Sequence, residues 1–308
     1  MGKHKTSIGG QAVIEGVMMR GSKQMAVAVR IPDGLIEIKK DPNPAFTNNW
    51  FLKLPVIRGC VAFFQSLVLG VKTLMYSASF FELETQKEKT KFESFIENKF
   101  GNKLTDVMVY FSVLIAVAFS IGIFFLLPTF VVSPIKQFIK YDAAATLIEG
   151  LIRILIFVIY LFFVSKIKDI QRVYEYHGAE HKTIFCYESG EELTVENAKK
   201  FSRLHPRCGT NFLLVIMVVS MVLFSFISWN NPVIRVVIRL ALLPVVAGIA
   251  YEIIKFMGRY QNKFTNTISY PGMLLQKLTT REPDELQLEV AITALEAVLT
   301  GNPEDDKW

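Results

Sequence analysis

The stretch TDVMVYFSVLIAVAFSIGIFFLLPTFVV, residues 105–132, decides the class of fold. Asp106 is its one charged residue, and about 20 apolar residues in a helix are enough to cross the hydrocarbon core of a bilayer. Three further largely apolar runs occupy residues 147–164, 211–229 and 233–254. The pattern predicts a mainly α polytopic membrane protein with about four transmembrane helices.

The composition of the chain agrees with that class. Hydrophobic residues make up 51% of the 308 positions and the mean hydropathy is +0.35, which is too apolar for an ordinary soluble domain. The three cysteines, Cys60, Cys186 and Cys208, cannot all pair within one chain. A disulfide framework is therefore not expected, and reduced thiols indicate a cytoplasmic setting.

A fifth apolar run, residues 54–81, carries a regular polar stripe. Arg58, Gln65, Lys72 and Ser79 recur every seven residues, which places them along one side of a helix. Such an amphipathic helix is interfacial, lying in the plane of the membrane surface, or re-entrant, and we prefer the interfacial arrangement. The alternative is a fifth crossing, which would place the chain termini on opposite sides of the membrane.

The distribution of basic residues predicts which side of the membrane each loop faces. With four crossings, Lys and Arg number 27 in the segments on one side and two on the other. Basic residues in short loops stay on the cytoplasmic side, so we predict that both termini and the loop 166–210 are cytoplasmic. Arg153, Arg235 and Arg239 lie within or at the outer ends of the runs and are expected to snorkel to the far headgroups.

Residues 1–50 differ from the rest of the chain in having short β-branched runs. These runs occur in QAVIEGVMMRG and KQMAVAVRIPDGLIEIKK, and Pro32, Asp33 and Gly34 form a turn signal inside the second segment. A small N-terminal antiparallel β element is therefore predicted on the cytoplasmic side of the membrane.

The chain divides into four predicted segments. They are a cytoplasmic β-rich element at 1–50, the amphipathic helix with a charged cytoplasmic linker at 51–104, a four-helix membrane domain at 105–254, and a cytoplasmic helical segment at 255–308. In the last segment, Pro283 and the two acidic residues after it open a helix that we expect to pack on the cytoplasmic domain. Its apolar residues at helical spacing are Leu288, Ile292, Leu295 and Leu299.

The motif YHGAEHKTIFC, residues 176–186, holds two of the four histidines. We predict that the apolar run ending at Val164 continues as one rigid helix into this motif, with His177, Glu180 and His181 on its inward stripe. His-x-x-Glu-His is the spacing of the inverted zinc-protease motif, in which two imidazoles one turn apart bind one Zn²⁺. Nitrogen-to-zinc bonds of about 2.0–2.1 Å require the two rings to be this close.

Further ligand types follow in RLHPRCGTNF, residues 203–212. Either His205 or Cys208 would complete a three-ligand set of the catalytic type with His177 and His181, whereas all four would close a tetrahedral structural site. In the alternative without a metal, the histidine pair binds lipid phosphates or neighbouring carbonyls, and Cys208 is a small packing residue.

Two acidic residues extend the predicted site. Glu180 is the candidate catalytic residue, as the general base that takes a proton from water. Glu252 lies in GIAYEIIKF near the end of the last apolar run, where a carboxylate at membrane depth needs a partner. That partner is either the metal, which makes Glu252 a candidate ligand, or a basic residue such as Lys255 or Arg207.

Four separated blocks of the sequence resemble the YqhQ-like family of bacterial membrane proteins. They are GGQAVIEGVMMRG, YHGAEHKTI, HPRCGTNF and PGMLLQKLTTREPDELQLEVAI, and the similarity covers nearly the whole chain. The family is a domain of unknown function, sometimes labelled a predicted metal-dependent enzyme, so the resemblance implies a metal but no substrate. The positions on which that label would rest are His177, Glu180, His181, His205 and Cys208.

Two functions of different classes follow from these features. The first is an integral protein of the bacterial inner membrane whose cytoplasmic metal site, with zinc preferred, hydrolyses an ester, amide or phosphoester at the membrane surface. The second is a non-catalytic interaction or biogenesis factor in which the metal is structural. Its cytoplasmic face would dock a protein such as a ribosome or translocase, or acidic membrane lipids. A transporter is a weaker third option, and no motif indicates a specific nucleic acid.

Overall fold

A computed structural model of the chain describes residues 5–43, 50–85, 111, 114–136, 138–139, 141–227, 232–260, 262–302 and 304–306. The strands are β1 (Gly9–Val13), β2 (Gly16–Arg20), β3 (Gln24–Arg30) and β4 (Ile36–Pro42). The helices are α1 (Ile57–Thr85), α2 (Leu114–Ile135), α3 (Asp142–Val164), α4 (Lys168–Ser189), α5 (Val195–Lys199), α6 (Gly209–Ser225), α7 (Pro232–Arg259), α8 (Lys263–Thr279) and α9 (Glu285–Glu296). Most of the predicted charged linker lies outside the described residues.

Within the described residues, four helices are long and apolar enough to cross a membrane, which confirms a mainly α membrane protein. They are Ile57–Phe81 in α1, Leu114–Ile135 as α2, Ala143–Val164 in α3 and Ile234–Arg259 in α7. The number of such helices agrees with the prediction, but they are not the same four segments. α1, expected to be interfacial, meets the criteria of length and composition, whereas α6 has 17 residues and is shorter than the predicted run 211–229.

The N-terminal β element is confirmed as a four-stranded antiparallel sheet in the order β1-β2-β3-β4. Both faces of its central strands are covered. Val17 and Ala28 on one face belong to a hydrophobic core shared with α4 and α9. Met18, on the opposite face, lines a cavity together with Leu69 of α1. Burial on both sides explains why β2 and β3 lack polar alternation in the sequence.

Helix α1 has one side against this sheet and an apolar side that the protein leaves exposed. Gln11 Nε2 donates to the Gly70 carbonyl at 3.5 Å, and the Ile14 amide donates to Ser77 Oγ at 3.2 Å. The exposed apolar side chains follow helical spacing and are Phe64, Leu67, Val68, Val71 and Met75. Contact with a sheet on one side and apolar exposure on the other is the pattern of an interfacial helix, and the interfacial placement stays a prediction.

The prediction of one continuous helix from the membrane into the His motif is wrong. α3 ends at Val164, and α4 begins at Lys168 after Ile167, whose backbone is extended with φ −73° and ψ 126°. The break is stabilised by its own hydrogen bonds, because the Ser165 carbonyl accepts from Gln171 Nε2 at 3.2 Å and from the Arg281 guanidinium at 3.3 Å. The His motif therefore lies on a helix separate from the apolar run that ends at Val164.

The C-terminal helix begins where the sequence predicts. Asp284 caps α9, and its side chain accepts from the Gln287 amide while the Gln287 side chain accepts from the Asp284 amide. The predicted apolar stripe is buried in the core shared by α4, α9 and the sheet, as expected for Leu288, Ile292 and Leu295.

The chain forms two compact units. The first consists of residues 1–80, 160–216 and 244–308, and the second of residues 81–159 and 217–243. The sheet, α4, α5, α8 and α9 lie in the first unit, which also contains the predicted metal site.

The second unit contains a buried ion-pair cluster, which corrects the expectation that Arg153 and Arg239 snorkel to headgroups. Glu149, Arg153 and Arg239 are 3%, 6% and 2% exposed. Both arginines donate to the Glu149 carboxylate, which also accepts from Thr129 Oγ1 at 2.8 Å. Arg153 Nε donates to the Phe124 carbonyl at 2.7 Å within a turn of π-helix. Both arginines are paired inside the protein, because Glu149 lies one turn before Arg153 in α3 and also faces Arg239 of α7.

Candidate metal centre

Helix α4 carries the His motif through the middle of the first unit. From Tyr176 to Glu188 most of its side chains are buried, and it contacts β1, α5 and α9. Gly190 ends the helix in a left-handed conformation with φ 71°. Burial on several sides explains why polar residues interrupt the apolar stripe, because these residues face other parts of the same unit rather than water.

Two histidines of α4 and one cysteine from the segment before α6 form the candidate centre. One potential ligand atom from each of His177, His181 and Cys208 lies within 4.8 Å of the other two. His177 Nε2 is 3.2 Å from Cys208 Sγ, and the two imidazole centroids are 4.5 Å apart. The i, i+4 spacing therefore brings the rings together as the sequence predicts.

Backbone carbonyls determine which nitrogen each histidine presents. His177 Nδ1 lies 2.8 Å from the Thr279 carbonyl, and His181 Nδ1 lies 2.6 Å from the Arg203 carbonyl. A carbonyl only accepts, so each Nδ1 carries a proton, and Nε2 is the nitrogen through which each ring would bind a metal. This is the outer-shell arrangement that orients histidines around a metal. This arrangement is not readable from the sequence, because the two carbonyls belong to the end of α8 and to the segment before α6.

The thiol of Cys208 interacts electrostatically with the two histidines. Burial raises the pKa of Cys208, but the imidazoles of His177 and His181 outweigh burial and hold that pKa well below its usual range. Burial lowers the pKa of His177, yet the Cys208 thiolate and the Glu180 carboxylate outweigh it and raise that pKa to about 9. The thiolate is the form of cysteine that binds metals.

Glu180 lies beside the group and is bound to the sheet. Its Oε1 accepts from the Gly10 amide at 3.0 Å, and its Oε2 is 3.9 Å from His177 Nε2. Burial raises the pKa of Glu180, and this effect exceeds the opposing attraction of the two histidines. A Cβ at Gly10 would lie 2.8 Å from Glu180 Cγ, so a glycine is needed where β1 approaches α4. The sequence does not indicate Gly10 as part of the site, because its contribution is a backbone amide.

The structure does not bring His205 into the group of ligand atoms. Its ring is 5.5 Å from that of His181, but its nitrogens face other partners. Nδ1 accepts from the Arg207 amide at 3.3 Å, and Nε2 is 3.9 Å from Glu188 Oε2. Burial lowers the pKa of His205 to about 4, against the opposing effect of Glu188. A neutral ring that accepts from the backbone and borders an Arg207–Glu188 ion pair is explained without a metal.

Glu252 is also outside the group, since it is engaged by an arginine. Arg58 Nε donates to its carboxylate at 2.6 Å, and the Val56 amide contacts the same oxygen at 3.4 Å. The sequence left two partners open for Glu252, a metal or a basic residue. The structure shows a basic residue, and this residue is Arg58 of α1. Arg207, the arginine suggested by the sequence, pairs with Glu188.

The three potential ligands border a cavity of about 360 Å³. Its wall combines α4, the segment around Cys208 and residues Ser7 to Ala12, which include most of β1. His177, Glu180, His181 and Cys208 all line it. The group is thus adjacent to space in which a water or a small part of another molecule fits.

Gly178 gives a test of how tightly this site is packed. A Cβ at Gly178 would lie 2.0 Å from the Arg281 carbonyl oxygen, whereas a Cβ at Gly209 would meet no atom within 4 Å. Gly178→Ala is therefore expected to lower the free energy of unfolding by about 1–3 kcal/mol or more, because the segment between α8 and α9 must move away from α4. Gly209→Ala is the matched control and is expected to change it little. Equal midpoints of thermal unfolding for both variants would contradict the described packing.

The fold and this site define a membrane protein with a buried His/His/Cys group beside a cavity. By comparison of sequences, the chain belongs to the family described as Protein of unknown function (DUF1385), whose model matches residues 54–301. It is 35% identical over 309 residues to an uncharacterized protein, YqhQ, of Bacillus subtilis (strain 168), covering 97% of this chain and 95% of that protein. This confirms the resemblance that the four sequence blocks indicate. No solved structure matches the chain.

Proposed function

We propose that His177, His181 and Cys208 hold a divalent metal ion and that the protein is a metal-dependent hydrolase acting at the membrane surface. The observation that carries the proposal is the convergence of potential ligand atoms from two histidines and one cysteine, which line a cavity. Two nitrogens and one sulfur favour zinc over hard cations such as Mg²⁺ or Ca²⁺.

The number of protein ligands favours chemistry over a purely structural role. Structural zinc sites have four protein ligands, whereas catalytic sites have three and leave one position for water or substrate. The sequence left open whether His205, Cys208 or both join the histidine pair, and the nitrogens of His205 face Arg207 and Glu188 instead of the group. The cavity that the three residues line offers space for a water or substrate as a fourth ligand.

Glu180 is the residue to which we assign proton transfer. A bound zinc would supply Lewis-acid chemistry that makes a water molecule acidic near neutral pH. A carboxyl group with a raised pKa accepts and returns a proton more readily near neutral pH than an ordinary glutamate does. The Gly10 amide donates to Oε1 and so orients the side chain.

The basic residues favour a cytoplasmic location for this centre. Lys and Arg concentrate in the segments that build the first unit, including 166–210. We therefore place the centre at the cytoplasmic face of the bacterial inner membrane, with both termini on that side. Membrane lipids are then the molecules nearest to the site.

Glu180→Gln separates a catalytic from a structural role. The variant is expected to keep its zinc, because Glu180 is not among the three ligands, and to lose most of the zinc-dependent hydrolysis of bis(p-nitrophenyl) phosphate, about 100-fold or more. Glu196→Gln, at an exposed position of α5, is the control and is expected to keep both properties.

The alternative role, in which the metal only fastens α4 to the segment before α6, gives a different result. Wild-type protein would then contain zinc but hydrolyse the phosphodiester no faster than the Glu180→Gln variant. That outcome would overturn the hydrolase assignment and support the interaction or biogenesis factor.

A further inference from the structure

A second cavity lies on the other side of β1 from the candidate metal centre. Its volume is about 430 Å³, and its wall includes residues of the sheet, Ala62, Ser66 and Leu69 of α1, and Tyr251 of α7. Both helices contain candidate membrane spans. The cavity is therefore formed where the sheet meets the membrane helices of the same compact unit.

Arg20 is the charged residue of this wall, and its side-chain partner among the described residues is a neutral amide rather than a carboxylate. Its Nε donates to Asn43 Oδ1 at 2.7 Å, and Asn43 Nδ2 donates to the Gly21 carbonyl at 2.8 Å, which fixes the plane of the guanidinium. Burial lowers the pKa of Arg20, which is the sign of a cation held away from water without an anion. A planar, oriented guanidinium is well suited to a phosphate group.

The residue opposite Arg20 leaves the guanidinium uncovered. Gly9 of β1 is the cross-strand partner of Arg20 in the sheet register, so a side chain at position 9 would lie beside Arg20 on the same face. A Cβ at Gly9 would meet no atom within 4 Å. The space next to Arg20 is therefore open for a ligand rather than filled by the neighbouring strand.

The two cavities are close to each other. Ser7, Gly9, Gly10 and Gln11 line both of them, so one edge strand separates Arg20 from the metal centre. Gly9 borders Arg20 on one face, and the next residue, Gly10, donates to Glu180. A molecule bound at Arg20 is thus one strand away from His177, His181 and Cys208.

We propose that this second cavity binds the phosphate headgroup of an anionic lipid through Arg20, and that this lipid class is the substrate of the metal centre. The positive charge of Arg20 indicates a phosphate as the bound group. The parts of the wall from α1 and α7 would place the cavity beside the acyl chains of the lipid. The exposed apolar side of α1 provides a surface that a lipid tail can follow. The second half of this inference rests on the proposed hydrolase, whereas the binding site itself does not.

The test measures lipid retention by the full chain in detergent, using native mass spectrometry with phosphatidylglycerol and with zwitterionic phosphatidylcholine. Wild-type protein is expected to bind phosphatidylglycerol in preference to phosphatidylcholine. The affinity of Arg20→Met for phosphatidylglycerol is expected to be at least about tenfold lower. Lys23→Met removes a positive charge from the exposed turn between β2 and β3 and is expected to bind as wild type does. Equal binding by all three proteins would overturn the proposal.

Gly9→Trp keeps the inference testable should the arginine variant fail to fold. The indole is expected to cover Arg20 and reduce phosphatidylglycerol binding to a similar extent, because the position is open and needs no repacking. Unchanged binding by a folded Gly9→Trp protein would count against the site. Inorganic phosphate competing as well as the lipid does would overturn the lipid assignment in favour of a soluble phosphate.

The same measurement on metal-free protein separates this inference from the proposed function. The Arg20 site is expected to bind phosphatidylglycerol equally with or without zinc, because Arg20 and Asn43 are outside the group of metal ligands. If binding depends on Arg20 and the protein as purified takes up no zinc, the lipid site is kept and the hydrolase is rejected. If the protein contains zinc and Arg20→Met binds the lipid as well as wild type does, the lipid site is rejected and the hydrolase is kept.

Discussion

His181→Ala is expected to lower the affinity for zinc by more than about 100-fold, so that the purified variant contains no stoichiometric metal. Loss of an outer-shell partner already costs about 10–100-fold in metal affinity, and His181 supplies one of three direct ligands. The remaining pair, His177 and Cys208, cannot hold the ion alone. The measurement is elemental analysis of the detergent-purified protein after dialysis against a weak chelator.

His205→Ala is the matched control for this variant. Both histidines are buried, at 2% and 5% exposed, and their rings are 5.5 Å apart, so both substitutions remove a similar volume from the same region. The His205 variant is expected to keep its zinc, because the nitrogens of that ring face Arg207 and Glu188. Zinc retained without His181, or lost without His205, would contradict the assigned ligand set.

Glu149→Ala is expected to lower the free energy of unfolding by about 3–5 kcal/mol. The substitution leaves two guanidinium groups, on Arg153 and Arg239, buried among helices without their shared carboxylate. Thr129 also loses the acceptor of its hydroxyl group. The measurement is the midpoint of thermal unfolding in detergent, with Glu296→Ala at an exposed position as the control.

The double variant Glu149→Ala/Arg239→Met tests the cause of this loss. Removal of one of the two arginines reduces the uncompensated charge, so the double variant is expected to be more stable than Glu149→Ala alone. A double variant that is less stable by the sum of both single effects would show that packing, rather than buried charge, determines the result.

Much of the fold is predictable from the sequence, because hydrophobic periodicity reports burial directly. The apolar stretch up to Val132 predicts a membrane helix, and the β-branched runs before Lys39 predict the sheet. The Asp284 cap gives the start of α9. The break between α3 and α4 was missed, because Ser165 to Ile167 contains no glycine or proline, and its stabilising contact comes from Arg281 in a distant segment.

The candidate site is predictable only in part, since the local spacing determines one pair of ligands and tertiary folding determines the rest. His177 and His181 are one turn apart on any helix, so their proximity follows from the sequence. Whether His205 or Cys208 faces them depends on how the segment before α6 folds back onto α4. Glu252 could not be assigned either, because its partner Arg58 is 194 positions away in the chain.

X-ray absorption spectroscopy at the zinc edge of the purified protein would identify the ligand atoms of the proposed centre. We expect one equivalent of zinc with a single sulfur ligand at about 2.3 Å and nitrogen ligands at about 2.0–2.1 Å, because Cys208 is the one cysteine in the group. The sulfur contribution is expected to disappear in Cys208→Ser. A protein without zinc, or a zinc shell without sulfur or with two sulfurs, would contradict the proposed centre.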